Sequence, residues 1–282
     1  MAALILLSGL ACASLVRYAP GALVDEGELN QRAGEDTIAA LREHKAQQAN
    51  ISANFTHYLR GLVHGDLGYS ESNHSPVAAL LADRAPQTLR DLGLGLLGAW
   101  LLGLGLAISV ARFPEARCDI ALMASAGLLL SLPAALIAYL FLLAGSGSAS
   151  RLVLAIVIAP KIFQYSRNIL LSAYGASHVE MARARGTSES TILWTHVLPS
   201  AAPQLGALAA ASVSIAIGAA IPIEAICDVP GLGRLAWQAA TARDLPLLIN
   251  LTMLVTLATT TAMAVSEIFL SRRPEFDMRS AA

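Results

Sequence analysis

Charged residues make up only 14% of this 282-residue chain, about half the share that a water-facing globular domain carries. Length alone would suggest two soluble domains, but this chain has too little polar surface to enclose them. The same shortfall excludes a charged, disordered tail protein. The few charges nearly cancel, since 19 basic and 20 acidic residues give a formal net charge of −1. There is thus no global basic field to hold a phosphate backbone, and no nucleic-acid partner is expected. Cysteine is also sparse. Cys12, Cys118 and Cys227 lie far apart and form no CxxC pair, so neither a disulfide framework nor a metal knuckle is expected. The two lysines, Lys45 and Lys161, do not follow a glycine, so the chain lacks a Walker A phosphate cradle. Any ATPase that drives it must be another chain. The six histidines show no HxxxH spacing, and no metal site is expected.

What the chain has instead is apolar length. Hydrophobic residues make up 55% of it and its mean hydropathy is +0.59. No Asp, Glu, Lys or Arg occurs in Met1–Val16, Leu92–Ala111, Ile120–Ser150, Val197–Ile223 or Leu245–Ser266. A hydrocarbon core about 30 Å thick needs about 20 apolar residues as helix, and four of these five runs are long enough. Inside hydrocarbon the backbone must satisfy its own hydrogen bonds, so each run is expected to be helical. A further candidate, Leu152–Tyr174, is interrupted by Lys161 and Arg167. With Met1–Val16 read as a first span rather than a cleaved signal, the chain is expected to be an all-α polytopic membrane protein with six transmembrane helices.

Arginine placement orients these spans. With the N-terminus inside, the inner loops hold Arg112, Arg117, Arg183, Arg185, Arg272, Arg273 and Arg279. The short outer loops hold only Arg151, Arg234 and Arg243. Both termini are therefore expected to be cytoplasmic. The expected division is a first helix at 1–16, a polar extracytoplasmic segment at 17–90, and a membrane core at 91–282. The outer segment could be helical around Ile38–Leu41 and Phe55–Leu62. Gly93 to Gly98 matches GxGxxG, but inside an uncharged span it reads as helix packing, with Gly95 and Ala99 on one face. Lys161 could serve a pathway, or it could face a partner subunit or solvent in a cavity, and Arg167 is expected to snorkel to the inner surface. Glu224 is expected to hold the loop at Pro230–Arg234. Glu267 is expected to meet arginines at the inner surface.

The most informative segment is the inner loop at 177–199. His178 to Arg185 is rich in helix formers, and Gly186 is a C-terminal stop. Thr187 or Ser188 can cap a second short helix running toward Trp194, and Pro199 begins the next span. The loop thus reads as helix–turn–helix at the membrane surface, either an interfacial connector or a docking element for a partner.

Its residues resemble the EAA loop (EAA-x3-G-x9-I-x-L-P) of ABC importer permeases. Glu180, Met181, Ala182, Gly186, His196, Leu198 and Pro199 keep that spacing, with Met181 and His196 departing in type. Further segments resemble the dipeptide/oligopeptide/nickel branch: Gly65-Asp-Leu-Gly-Tyr-Ser70, Arg84-Ala-Pro-Gln-Thr-Leu89, Ser131-Leu-Pro133, Pro230-Gly-Leu-Gly-Arg-Leu235 after Glu224, and Arg243-Asp-Leu-Pro246. The resemblance implies a type I permease fold and a transport subunit that is not itself an enzyme. It implies import of small peptides or related solutes by alternating access. The chain would hold no cofactor, with ATP and Mg on partner ATPase subunits. A second permease and an extracytoplasmic binding protein would complete the assembly in the inner membrane. Glu180, Ala182, Arg183, Ala184, Arg185, Gly186, His196, Leu198 and Pro199 would form the ATPase-docking loop, with Ala182 and Ala184 giving the partner room and the arginines pairing with its acidic rim. The sequence leaves the substrate-binding residues unknown. The rival readings are a stand-alone secondary transporter or channel, and a non-transporting membrane anchor.

Overall fold

The computed structural model describes residues 66–112, 116–144 and 149–271, together with residues 4, 7–12 and 14. A hairpin of β1 (Tyr69–Ser70) and β2 (Ser75–Pro76) precedes α1 (Val77–Arg112), α2 (Ala116–Ser131), α3 (Ala134–Leu143) and α4 (Ala149–Tyr174). Two short helices, α5 (Ser177–Ala184) and α6 (Glu189–Ile192), lead through a π-helical turn at Leu193–Val197 into α7 (Leu198–Ile226). The chain then forms α8 (Leu232–Ala242) and α9 (Leu245–Ser271). Residues 7–12 are helical and fall within the expected first span. The helices expected at 38–41 and 55–62 lie outside the described residues.

Among the described residues, three helical stretches are long and apolar enough to cross a membrane: α1, the continuous run Glu189–Ile226, and α9. Helix α1 begins well before the charge-free run at Leu92, so residue 90 lies inside it. The run Ile120–Ser150, expected as one span, is instead broken. Helices α2 and α3 meet at 89° because Pro133 disfavours helical backbone at Leu132 and then caps α3 with φ −60° and ψ 137°. The pair counts as at most one broken span. Helix α4 has the length of a span, but it carries Arg151, Lys161 and Arg167.

The described residues form two compact units. The larger comprises Pro86–Arg234 and the segment from Ala258 onward. In it α4 packs against α2, α3 and α7 through fully buried Val153, Leu154, Ile158 and Leu170. Helix α1 approaches α4 closely. A Cβ added at Gly95 would lie 2.7 Å from Leu154 Cβ, and one at Gly103 would lie 2.9 Å from Ile162 Cβ. Ala99, one turn beyond Gly95, is fully buried. The glycine motif therefore serves helix packing, as its uncharged setting indicated.

The smaller unit contains the described residues up to Ala85 and Leu235–Leu257. Its hub is Asp244. Asp244 Oδ1 caps α9 by accepting from Leu247 N at 3.2 Å. Its Oδ2 accepts from Ser70 Oγ at 2.5 Å, Ser72 N at 3.1 Å and Ser72 Oγ at 2.7 Å. Asn250 Nδ2 donates to Leu67 O at 2.8 Å. The two segments marked in the sequence at 65–70 and 243–246 are thus partners in space. Burial pushes the Asp244 carboxyl up, but hydrogen bonds from Ser70, Ser72 and Leu247 outweigh it and hold the group below its usual value. A depressed folded value means the contribution is present above about pH 3.9, the ordinary Asp value, and is lost as pH falls through the folded value. Asp244→Ala should cost about 2–4 kcal/mol, because the buried Ser70 O–H loses its carboxylate acceptor and α9 loses its cap. Amide exchange at Ser72 and Leu247 should accelerate at least about tenfold, and unchanged protection would refute this role.

Candidate functional site

The loop at 177–199 is built as a handle fixed to the larger unit. Helix α5 buries Val179 and Ala182 three residues apart, the spacing of one helix face. Beyond the turn, Ile192, Leu193 and Val197 are also buried. These five side chains share one core with Ala107, Val110, Phe163, Leu170 and Ala201. The loop's position therefore follows the spans it is packed on.

The turn between α5 and α6 is set by backbone bonds. Thr187 N donates to Ala182 O at 3.2 Å and Gly186 N donates to Arg183 O at 3.0 Å. These are the two bonds of a Schellman stop, which places its C′ residue in left-handed backbone. Gly186 is that residue, with φ +79°. An added Cβ would meet nothing within 4 Å, so the turn needs glycine for conformation and not for space. Ser188 Oγ then accepts from Thr191 N at 3.3 Å and caps α6, as expected from its type. The second helix does not stop before Pro199. It continues through the π turn into α7, with Pro199 in the first turn of α7, so its missing N–H falls inside a continuous helix and leaves a carbonyl of the preceding turn without its backbone donor.

Two expectations for the loop are corrected. Ala182 gives no room to a partner, because it is buried against the chain's own core. Arg183 is already engaged: its Nε donates to Glu189 Oε1 at 2.7 Å, which ties α5 to α6 across the turn. The guanidinium holds the Glu189 carboxyl below the usual carboxylate range. Arg112 at the end of α1 donates to Ser190 Oγ at 2.7 Å, a second tie. Glu180, Ala184, Arg185, Gly186 and Pro199 are exposed, and His196 and Leu198 are half-buried. Met181, 56% exposed, and Trp194, 69% exposed, join that outer surface. The structure also stacks His178 on His196, with ring centroids 6.4 Å apart. Their separation in sequence hid this, although the inward spacing of Val179 and Ala182 could have shown which side faces out.

A second constellation surrounds Glu224, which is fully buried. Its Oε2 accepts from Gly233 N at 2.7 Å, and Thr88 Oγ1 accepts from Leu232 N at 2.7 Å. The start of α8 is thus held by α7 and α1 together. A Cβ at Gly231 would collide with Glu224 Oε2 and lie 2.6 Å from Thr88 Oγ1. The expected role of Glu224 in holding Pro230–Arg234 agrees with this geometry. Arg167 is paired with Asp119 of α2. Glu267 is exposed near the end of α9, and Arg272 and Arg273, its expected partners, lie outside the described residues. Among the described residues no group of three or more His, Cys, Asp or Glu could hold a metal ion.

Comparison with known proteins places this arrangement. Residues 103–272 match the family model described as binding-protein-dependent transport system inner membrane component. A peptide permease protein of Brucella suis is 28% identical over 243 residues, covering 77% of this chain and 76% of that protein. The glutathione transport system permease protein GsiC of Salmonella typhi is 25% identical over 232 residues, with 77% and 76% covered. Among solved structures, an inward-facing MetNI methionine ABC transporter matches with a TM-score of 0.58 at 20% identity, covering 67% of this chain and 96% of that one. The matched stretch contains the handle at 177–199 and the helices that anchor it, and on that ground the chain belongs to the binding-protein-dependent inner membrane components, as a multi-pass permease subunit of an ABC importer with the type I permease fold.

Proposed function

We propose that this subunit moves small peptides or related solutes inward by alternating access, with the loop at 177–199 as the contact through which separate ATPase subunits drive it. In this reading six spans place both termini in the cytoplasm, and residues 17–90 lie on the outer side with their last part helical. ATP and Mg bind to the ATPases, and this chain performs no hydrolysis and holds no cofactor. A second permease subunit and an extracytoplasmic binding protein complete the assembly. The peptide reading is supported by the names of the relatives and by the marker segments at 65–70, 84–89 and 230–235.

The observation that carries the reading is the attachment of the handle. Its apolar side chains are sunk in the core of the spans, while Met181, Ala184, Arg185 and Trp194 are left outside. A force on the exposed side is therefore delivered to α1, α4 and α7 without first deforming the loop. Closure of two ATPase subunits would turn such handles as rigid bodies and switch the pathway. The test is site-specific crosslinking at Ala184→Cys in the intact membrane assembly, with the native cysteines replaced. A nucleotide-hydrolysing chain is expected as the crosslinked product. Crosslinks to lipid alone, or purification in mild detergent that never recovers an ATPase, would overturn the reading.

A further inference from the structure

Helix α4 carries three basic side chains in three different settings. Arg151 Nε lies 3.3 Å from Asp91 Oδ1, and Arg167 is paired with Asp119. Lys161 is exposed and has no carboxylate partner among the described residues.

Lys161 is also deep. It stands at the middle of Ala149–Tyr174, with about 18 Å of helix on either side. Its neighbour Ile162 packs level with Gly103 of α1, and Gly103 is central in the charge-free run Leu92–Ala111. A lysine stem cannot carry its ammonium from the middle of a core about 30 Å thick to the interface.

The side chains that follow Lys161 on its face are polar. Tyr165, Asn168 and Ser172 follow Lys161 at intervals of four, three and four residues, which is one helix face. Tyr165 is 56% exposed, and Asn168 and Ser172 are exposed. Asn168 Oδ1 accepts from Arg167 Nη1 at 3.1 Å, which leaves its amide N–H groups free to donate. Beyond Lys161 the opposite side of α4 is sunk in the core through Phe163, Ser166 and Leu170, whereas one and two turns before it Ile158 and Leu154 bury the Lys161 side itself. A cationic, hydrogen-bonding face at mid-depth is incompatible with lipid chains and calls for water or a polar partner surface. The groups presented there, an ammonium, a phenol and an amide, match a solute that brings a carboxylate.

We propose that the Lys161–Tyr165–Asn168–Ser172 face of α4 lines the solute pathway, with Lys161 receiving the carboxylate of an anionic solute such as the free C-terminus of a short peptide. This rests on the importer reading and adds the charge class of what is carried.

The test uses thiol chemistry in membrane vesicles containing the full chain assembled with its partner subunits, with the three native cysteines replaced by serine. Tyr165→Cys is treated with the anionic sulfonatoethyl and the cationic trimethylammonioethyl methanethiosulfonates, and each rate is divided by that reagent's rate with a free thiol. The anionic reagent is expected to react about tenfold faster, because the ammonium is one helical turn away. With Lys161→Gln added, the ratio should fall to about one. Asn168→Cys gives the same readout if Tyr165→Cys does not assemble. Absence of reaction with either reagent would mean that the face is covered by lipid or protein, and would overturn the proposal. So would a preference that survives loss of Lys161. Uptake of labelled dialanine by the unmodified assembly separates the two readings: no uptake with the anion preference intact removes the peptide reading and leaves the pathway face standing.

Discussion

Gly186→Val is expected to reduce solute uptake at least about tenfold while the assembly still hydrolyses ATP. The cause is conformational. Gly186 holds left-handed backbone at φ +79° with open space around it, so a side chain meets no obstacle and the cost is borne by the backbone alone. An L-residue in that region costs about 1–2 kcal/mol, and asparagine pays least among those with a Cβ. Branching at Cβ adds to the cost. Uptake should therefore rank Gly186, then Asn, then Ala, then Val. A steric requirement would predict a ranking by volume, with Ala above Asn. Uptake by Gly186→Val equal to wild type, at normal membrane levels, would show that the turn between α5 and α6 does not transmit the drive.

Gly231→Val should have the largest effect on stability. Here the obstacle is steric. An added Cβ collides with Glu224 Oε2 and crowds Thr88 Oγ1, and both groups are fixed because they hold the first amides of α8. Overpacking costs about 1–3 kcal/mol, and displacing Glu224 from its donor costs about 1–3 kcal/mol more. The midpoint of thermal unfolding in detergent should fall by on the order of 10 °C. Gly105→Ala is the control. Its Cβ meets nothing within 4 Å, and alanine favours helix by up to about 1 kcal/mol, so its midpoint should hold or rise. Equal midpoints for the two variants would remove Glu224 from the role of anchor.

Much of this site could be read from residue order. Gly186 as a stop, Ser188 as a cap and Pro199 near the start of a span follow from local backbone chemistry, and local chemistry acts over the few residues that a sequence shows together. The marker segments were legible only as separate patterns. The structure pairs them, joining Ser70 to Asp244 and Thr88 to the Glu224 loop. Long-range pairing of this kind depends on how the helices pack, which no spacing rule reports. The same limit explains the corrections. Ala182 was expected outside because its small size suits either a partner or a core. Arg183 was assigned to a partner although Glu189 lies within reach once the turn is formed. The break at Pro133 is present in the residues, but a long uncharged run around a proline suits one span and a broken pair equally.

The π turn at Leu193–Val197 has a rotational consequence. It sits inside one helical rod, Glu189–Ile226, about 55 Å long, which has the loop surface at one end and Glu224 near the other. A π turn accommodates one residue more than an α-helical turn. Excising a single residue there, such as Thr195, would restore ordinary winding and leave the azimuth of everything beyond it nearly unchanged, whereas excising one from the α-helical part would swing it by about 100° about the rod axis. That one turn therefore absorbs an extra residue while keeping the azimuth of α7 that points toward Thr88, and the carboxylate at the far tip keeps its partners.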